Sequence, residues 1–201
     1  FLCGVATDSH RLSSSSLEID PSINVEPIIL PKKTIFQLIS LLGQNTDAIK
    51  ISNNKSKIKF KMDKSVLISK VIDGRFPDYS KVIPKGNDKI LQIKLDEFKN
   101  SIERVTAVSS DHTKGLKMTI SKDTVQLSVN NPSSGEGIEN INAKFNSNDL
   151  NISFNSRYLI DIASQIENES IVIILKDAGS PVLINDFSDK NSFHVVMPMK
   201  I

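Results

Sequence analysis

The sequence predicts an α+β fold built from a repeated unit of one strand, one amphipathic helix and three further strands. The chain of 201 residues has no Trp and only 5% aromatic residues, so its core must consist mainly of Ile, Leu and Val. The β-branched residues among these favour strands. Apolar residues also recur with helical spacing three times along the chain, each time between strand-like runs. The repeat of about 60 residues is longer than that of common solenoids.

The first unit begins with a strand predicted at 27–30. Pro31 stands at the start of the helix, where its missing N–H costs least, and Gly43 marks the helix end. The apolar residues between them recur at i, i+3, i+4 and i+7, which predicts a helix with one apolar stripe. These residues are Ile35, Leu38, Ile39 and Leu42. The three strands that follow are predicted at 48–52, 57–62 and 66–72.

The second and third units repeat this order, with Asp96 and Asn155 as the predicted N-caps of their helices. Strands of the second unit are predicted at 90–94, 116–120, 125–130 and 138–145. Those of the third unit are predicted at 150–154, 171–175, 182–184 and 193–197. A polar, turn-rich break at 84–88 predicts two domains, an incomplete one at 1–86 and a complete one at 87–201.

Composition excludes several classes of protein. The formal charge of +2 does not indicate a chain that binds nucleic acid over its whole surface. Cys3 is the single cysteine, so no internal disulfide can form and no cysteine-based zinc finger is expected. The histidines His10, His112 and His194 lack metal-ligand spacing, and we expect neither metal nor cofactor. Because no membrane-length apolar run or signal peptide is visible, we expect a cytoplasmic protein without membrane contact.

Three separated segments resemble one protein family. Residues 5–12, Val-Ala-Thr-Asp-Ser-His-Arg-Leu, resemble the signature Ala-Thr-Asp-Gly-His-Arg-Leu, with Ser9 in place of Gly. Residues 73–79, Asp-Gly-Arg-Phe-Pro-Asp-Tyr, match a second family segment without change. Residues 195–201, Val-Val-Met-Pro-Met-Lys-Ile, resemble the terminal Val-Val-Met-Pro-Met-Arg-Leu. In this order and combination, the segments are similar to those of the bacterial sliding clamp, the beta subunit of DNA polymerase III.

The resemblance implies a DNA clamp fold, with repeated βαβββ units, an outer antiparallel sheet and inner helices. It implies a processivity factor without catalytic activity, which encircles double-stranded DNA as a head-to-tail homodimer. Ala107 and Val108 fall where the family has the seam of its ring. The chain would then lack the first domain and the opening half of the middle domain.

The resemblance also implies a pocket for linear peptide motifs of the polymerase III catalytic subunit, the clamp loader and repair polymerases. An apolar floor with flexible Met side chains and nearby polar groups suits such ligands. Lys81 stands where the family often has Arg, which keeps the charge but loses the planar fork. The implied residues are Thr7, His10, Arg11, Leu12, Pro77, Lys81, Val82, Asn155, Tyr158, Val195, Val196, Met197, Pro198 and Met199.

Basic residues on the predicted helices would face the DNA phosphates if the helices line a central hole. These residues are Lys32, Lys33, Lys99, Arg104 and Arg157. The alternative for each of them is an ordinary solvated helix face.

Two other functions are compatible with parts of the sequence. The first is a stand-alone peptide-binding module that does not encircle DNA. The second is a hydrolase that uses His10 and Asp8, although no nucleophile motif or carboxylate pair accompanies them. Asp8 is better interpreted as an acceptor for backbone N–H groups in a turn.

Overall fold

The computed structural model describes residues 1–23, 26–42, 48–54, 56–109, 115–186, 189 and 191–200. It has two compact units, one formed by residues 1–21 and 79–201 and the other by residues 22–78. The elements are β1 (Leu2–Thr7), β2 (Arg11–Leu17), α1 (Lys32–Leu41), β3 (Lys50–Asn53), β4 (Lys57–Lys61), β5 (Val66–Lys70), β6 (Lys89–Lys94), α2 (Leu95–Val105), β7 (Gly115–Ile120), β8 (Thr124–Asn131), β9 (Gly135–Phe145), β10 (Leu150–Asn155), α3 (Ser156–Ala163), β11 (Ser170–Leu175), β12 (Val182–Asp186) and β13 (Ser192–Val196).

The larger unit contains one antiparallel sheet of ten strands, in the order β1–β2–β13–β12–β11–β6–β9–β8–β7–β10. Helices α2 and α3 contact each other, and α2 also contacts β6, β8 and β9. Phe98 and Ile102 of α2 and Leu159 of α3 are fully buried in a core of Ile, Leu and Val. Each such side chain stabilises the fold by about 2 kcal/mol. The predicted α+β class is confirmed, and the strands predicted in this unit lie within three residues of those observed.

The helix starts of the larger unit show which capping predictions hold. Asn155 caps α3 as predicted, since its Oδ1 accepts a hydrogen bond of 3.0 Å from the N–H of Arg157. The prediction for Asp96 is wrong, because the N-cap of α2 is Lys94, two residues earlier, and its side chain makes no capping hydrogen bond. The earlier start includes the buried Leu95 in the helix. Asp96 instead lies in the first turn, where its negative charge interacts favourably with the helix dipole.

Strand β2 is Ser-rich and was not predicted. It forms because it pairs with β1 on one side and with β13 on the other. Ser13 of β2 hydrogen-bonds the Nδ1 of His194 on β13 at 2.8 Å. Because burial lowers the pKa of His194, its ring favours the neutral form in this sheet.

Strand β9 passes very close to the end of α2. A Cβ atom added to Gly137 would lie 2.5 Å from the carbonyl oxygen of Val105 and 3.1 Å from its Cα. Only the absence of a side chain at this position allows the strand and the helix to approach so closely.

The smaller unit holds α1 and an antiparallel sheet in the order β3–β4–β5. The strand predicted at 27–30 is reduced to a single bridge between Ile29 and Ile72. The apolar stripe of α1 is largely exposed, since Thr34 is the buried residue of the helix whereas Ile35 and Ile39 are 38% and 61% exposed. Thr34 faces β5, where its Oγ1 lies 2.7 Å from the Oγ of Ser69.

Three residues used in the sequence predictions, Gly43, His112 and Ile201, lie outside the described residues.

Candidate peptide-binding site

The turn between β1 and β2 is shaped by its own side chains. The Asp8 Oδ1 accepts hydrogen bonds of 3.0 Å from the backbone N–H groups of His10 and Arg11. The Thr7 hydroxyl donates to the Arg11 carbonyl oxygen at 2.8 Å. The interpretation of Asp8 as a turn-capping acceptor is therefore confirmed. We call residues 7–12 the Thr7–Leu12 turn.

Ser9 explains why glycine is usual at its position in the resembling family. Its φ of 74° lies in the left-handed region, which glycine adopts without steric cost. A residue with a Cβ loses about 1 kcal/mol there. The turn keeps its shape because the hydrogen bonds around Asp8 hold it.

The C-terminal tail, residues 197–200, lies directly beside the Thr7–Leu12 turn. Strand β13 pairs with β2 so that Val195 lies opposite Leu12 and Val196 opposite Arg11. Beyond the strand, the N–H of Met197 donates to the His10 carbonyl oxygen at 2.9 Å. The N–H of Met199 then donates to the carbonyl oxygen of Ser153 on β10 at 2.7 Å, which fixes the tail at two points.

Helix α3 forms another side of this region through contacts to Arg11. The guanidinium carbon lies 4.3 Å from the centre of the Tyr158 ring, a cation–π distance. The Nη1 of Arg11 donates to Asp161 Oδ2 at 2.6 Å, and the Nε of Arg11 donates to Asp8 Oδ2 at 3.0 Å. The turn and the first two turns of α3 thus meet around Arg11, next to the tail that is bonded to His10.

The electrostatics of the turn favour the charged forms of both partners. Partial burial raises the pKa of Asp8, but hydrogen bonds from the His10 N–H and from Arg11 outweigh it and lower the pKa below its usual range. Partial burial lowers the pKa of Arg11, yet hydrogen bonds to Asp161 and Asp8 raise it overall. The ion-pair contribution of Asp8 is present above the ordinary carboxyl pKa and is lost on acidification.

Burial divides the apolar residues of the predicted site into two groups. Leu12, Val195 and Val196 are at most 1% exposed and form the framework. Val82, Met197 and Met199 are 37–42% exposed and can contact a ligand.

The other predicted peptide-site residues occupy varied positions. Lys81 ends a 3-10 turn at Tyr79–Lys81 and Val82 follows it. Pro198 is half-buried in the tail, and Asn155 serves as the cap of α3. Pro77 is exposed and belongs to the smaller unit.

The basic residues that are predicted to face DNA lie on helices of different charge. Lys32 and Lys33 begin α1, which has no acidic residue, whereas α2 carries two basic and three acidic residues. Arg104 of α2 is paired with Glu139 of β9, with 3.0 Å between Arg104 Nε and Glu139 Oε2. The hydrogen bond from Arg104 lowers the pKa of Glu139 below its ordinary 4.5. Lys99 and Arg157 are half-buried and exposed, respectively.

Sequence reasoning missed Asp161, and it assigned Asp8 to the turn but not to the site. Asp161 lies three residues after Tyr158, so both side chains share one face of α3. That spacing is the available signal, although it does not identify Arg11 as the partner, since 150 residues separate Arg11 from Asp161.

The site does not have the arrangement of a hydrolase. Both oxygens of Asp8 accept bonds from backbone N–H groups or from the Arg11 side chain, so the carboxylate orients the turn. Within the described residues, no group of three or more His, Cys, Asp or Glu side chains could hold a metal ion. No helix in the described part of the chain is long and apolar enough to span a membrane.

Comparisons with known proteins agree on one family. Residues 2–78 match the central domain and residues 80–200 the C-terminal domain of the DNA polymerase III beta subunit. The chain is 31% identical over its full length to the beta sliding clamp of Caulobacter vibrioides and covers 54% of that protein. The chain therefore spans about half the length of the curated relatives that it matches.

Solved structures give the same result. A sliding clamp from Bartonella birtlesii bound to griselimycin superposes with a TM-score of 0.95 at 38% identity, over 99% of this chain and 54% of that one. A Pseudomonas aeruginosa clamp, also bound to griselimycin, gives a TM-score of 0.93 at 32% identity, over 99% and 54% of the two chains. The chain therefore belongs to the family of the DNA polymerase III beta subunit, the bacterial sliding clamps.

Proposed function

We propose that this chain is part of a DNA sliding clamp, a non-catalytic processivity factor that docks replication proteins at the Thr7–Leu12 turn. The observation that carries the proposal is the contact between this turn and the tail, made by the Met197 N–H and the His10 carbonyl oxygen. It joins two of the three segments that resemble the clamp family, although they lie at opposite ends of the chain.

The exposed residues of the site suit an apolar peptide side chain. Val82, Met197 and Met199 present accessible apolar surface, and Met side chains adapt to ligands of different shape. The buried Leu12, Val195 and Val196 support this surface without contacting the ligand themselves. The exposed His10 side chain offers a polar group that can fix a peptide backbone.

The proposed partners follow from the family. They are the catalytic subunit of DNA polymerase III, the clamp loader and repair polymerases, each bound through a linear peptide motif. The natural protein would be a cytoplasmic head-to-tail homodimer, with Ala107 and Val108 near its seam. Residues 1–86 would belong to the middle domain and residues 87–201 to the last one.

Double-stranded DNA would be held by enclosure. The mixed charges of α2 and the formal charge of +2 for the chain favour weak, screened contacts to phosphate, as sliding requires. Lys32, Lys33, Lys99, Arg104 and Arg157 would supply these contacts. A tethered polymerase then stays at high local concentration near its template.

The docking site can be tested with griselimycin, which is named as the bound compound in two similar structures. We expect this chain to bind it in isothermal titration calorimetry, and Met197→Ala to weaken binding about tenfold. Ile138→Ala is the matched control, because Ile138 is an exposed aliphatic residue outside the site. Absence of binding, or equal affinity of Met197→Ala and wild type, would refute the docking site.

Enclosure of DNA needs a separate test. The natural protein, once loaded on a circular plasmid, should remain bound at high salt and dissociate when a restriction enzyme linearises the plasmid. A stand-alone peptide-binding module would bind griselimycin but show no such difference between circular and linear DNA.

A further inference from the structure

We propose that Asp161 is a positioning residue, which together with Asp8 clamps the Arg11 guanidinium on the Tyr158 ring and holds the Thr7–Leu12 turn in its binding shape. This inference rests on the proposed function and deepens it. It adds to the site a residue that is expected to act through Arg11 and not by touching the ligand.

The guanidinium of Arg11 is held in three directions. Asp161 accepts from Nη1 at 2.6 Å, and Asp8 accepts from Nε at 3.0 Å. The Tyr158 ring lies against its face at 4.3 Å. A planar guanidinium can satisfy two carboxylates and one aromatic face at once, which a lysine ammonium cannot do with the same geometry.

The two carboxylates have different tasks. Asp8 shapes the turn itself, because it also accepts the backbone N–H groups of His10 and Arg11. Asp161 lies on α3, so its bond to Arg11 ties the turn to the helix. Asp161 and Tyr158 are three residues apart on one helical face and therefore fix the same arginine from neighbouring positions.

The same bond joins segments that match two different domain models of the family. Arg11 lies in the stretch that matches the central domain, and Asp161 in the stretch that matches the C-terminal domain. Met197, which offers exposed apolar surface to the ligand, is bonded to His10 beside Arg11. If the turn moved away from α3, the His10 carbonyl oxygen that holds Met197 would therefore move with it.

The exposure of the cluster indicates a role in geometry more than in stability. The side chains of Arg11, Asp8 and Asp161 are 29%, 43% and 50% exposed. Ion pairs exposed to this degree contribute little to the free energy of folding. Removal of the Asp161 charge should consequently leave the fold intact and change the orientation of Arg11.

The test measures griselimycin affinity and the environment of Tyr158 in the same variants. We expect Asp161→Asn to weaken binding about fivefold, with an unchanged circular dichroism spectrum, and Asp161→Glu to restore most of the affinity. Asp149→Asn is the matched control, since Asp149 is an exposed carboxylate outside the site.

Tyrosine fluorescence reports the surroundings of the Tyr158 ring, against which the Arg11 guanidinium lies. The chain has no Trp and two Tyr residues, so a Tyr79→Phe background leaves Tyr158 as its only tyrosine. In that background, Asp161→Asn should change the Tyr158 emission because Arg11 is released from the ring, whereas Asp149→Asn should not.

The outcomes separate this inference from the proposed function. If Met197→Ala weakens binding but Asp161→Asn changes neither affinity nor Tyr158 emission, Asp161 has no positioning role. If Asp161→Glu binds as weakly as Asp161→Asn while the emission stays constant, positioning through Arg11 is likewise excluded. If Met197→Ala also has no effect, the docking site itself is misplaced.

Discussion

Replacing Gly137 with alanine should destabilise the larger unit much more than the same change at Gly4. The new Cβ would lie 2.5 Å from the Val105 carbonyl oxygen, whereas ordinary van der Waals contacts begin near 3.4 Å. The obstacle is backbone, so no side-chain rotation relieves it. The strand and the helix would have to separate by almost 1 Å.

Neither element can move freely. Strand β9 is paired with β8 over eight residue pairs, and α2 is anchored by the fully buried Phe98 and Ile102. Overpacking of a well-packed site costs about 1–3 kcal/mol, and a clash with backbone belongs at the upper end. We therefore expect Gly137→Ala to lower the free energy of unfolding by about 3 kcal/mol and the melting temperature by about 10 °C.

The measurement is urea unfolding followed by circular dichroism, with the m-value compared between variants because the chain has two compact units. Gly4→Ala is the matched control. Gly4 also lies in a strand, but a Cβ there would have only the Ser15 carbonyl oxygen at 4.0 Å. If Gly137→Ala unfolds at the same urea concentration as Gly4→Ala, the close approach of β9 to α2 is refuted.

Two further predictions concern a helix cap and a surface ion pair. Asn155→Ala should lower the free energy of unfolding by about 1 kcal/mol, because the Arg157 N–H loses its acceptor. Asn155→Asp should keep most of the stability, since its carboxylate can still accept this hydrogen bond. Equal losses of melting temperature in the two variants would contradict the capping role. Glu139→Gln should be less stable than wild type at neutral pH, because Arg104 lowers the pKa of Glu139 in the folded state. A carboxylate whose pKa is lowered by folding stabilises the folded state at pH values above its pKa in the unfolded chain. The difference in melting temperature should decline as the pH falls below 4.5, and a difference that stays constant on acidification would contradict this assignment.

The sequence predicted the helices and strands better than the contacts that these elements make with one another. Alternating and helical periodicity identified strands β6 to β13 and helices α2 and α3 of the larger unit, and local chemistry identified the Asn155 cap. The same periodicity could not show which face of α1 is covered, because that depends on a neighbouring element and not on the helix itself. The serines of β2 gave no strand signal, since their extended conformation is imposed by pairing with β1 and β13.

The candidate site shows a similar division. The family resemblance supplied the residues of the turn and the tail, and the strand register between β2 and β13 places these two segments side by side. Local sequence could not reveal that Leu12 and Val196 are framework residues with almost no accessible surface. Nor could it pair Arg11 with Asp161, because a contact over 150 residues depends on the complete fold.

The pairing of β2 with β13 joins segments that lie far apart along the chain. Residues 1–21 and 79–201 form one sheet-bonded body, and residues 22–78 form the second compact unit. The contacts that fix Arg11, Tyr158 and Met197 all lie within the sheet-bonded body. The candidate site therefore draws on both ends of the chain, yet these contacts all lie within a single compact unit.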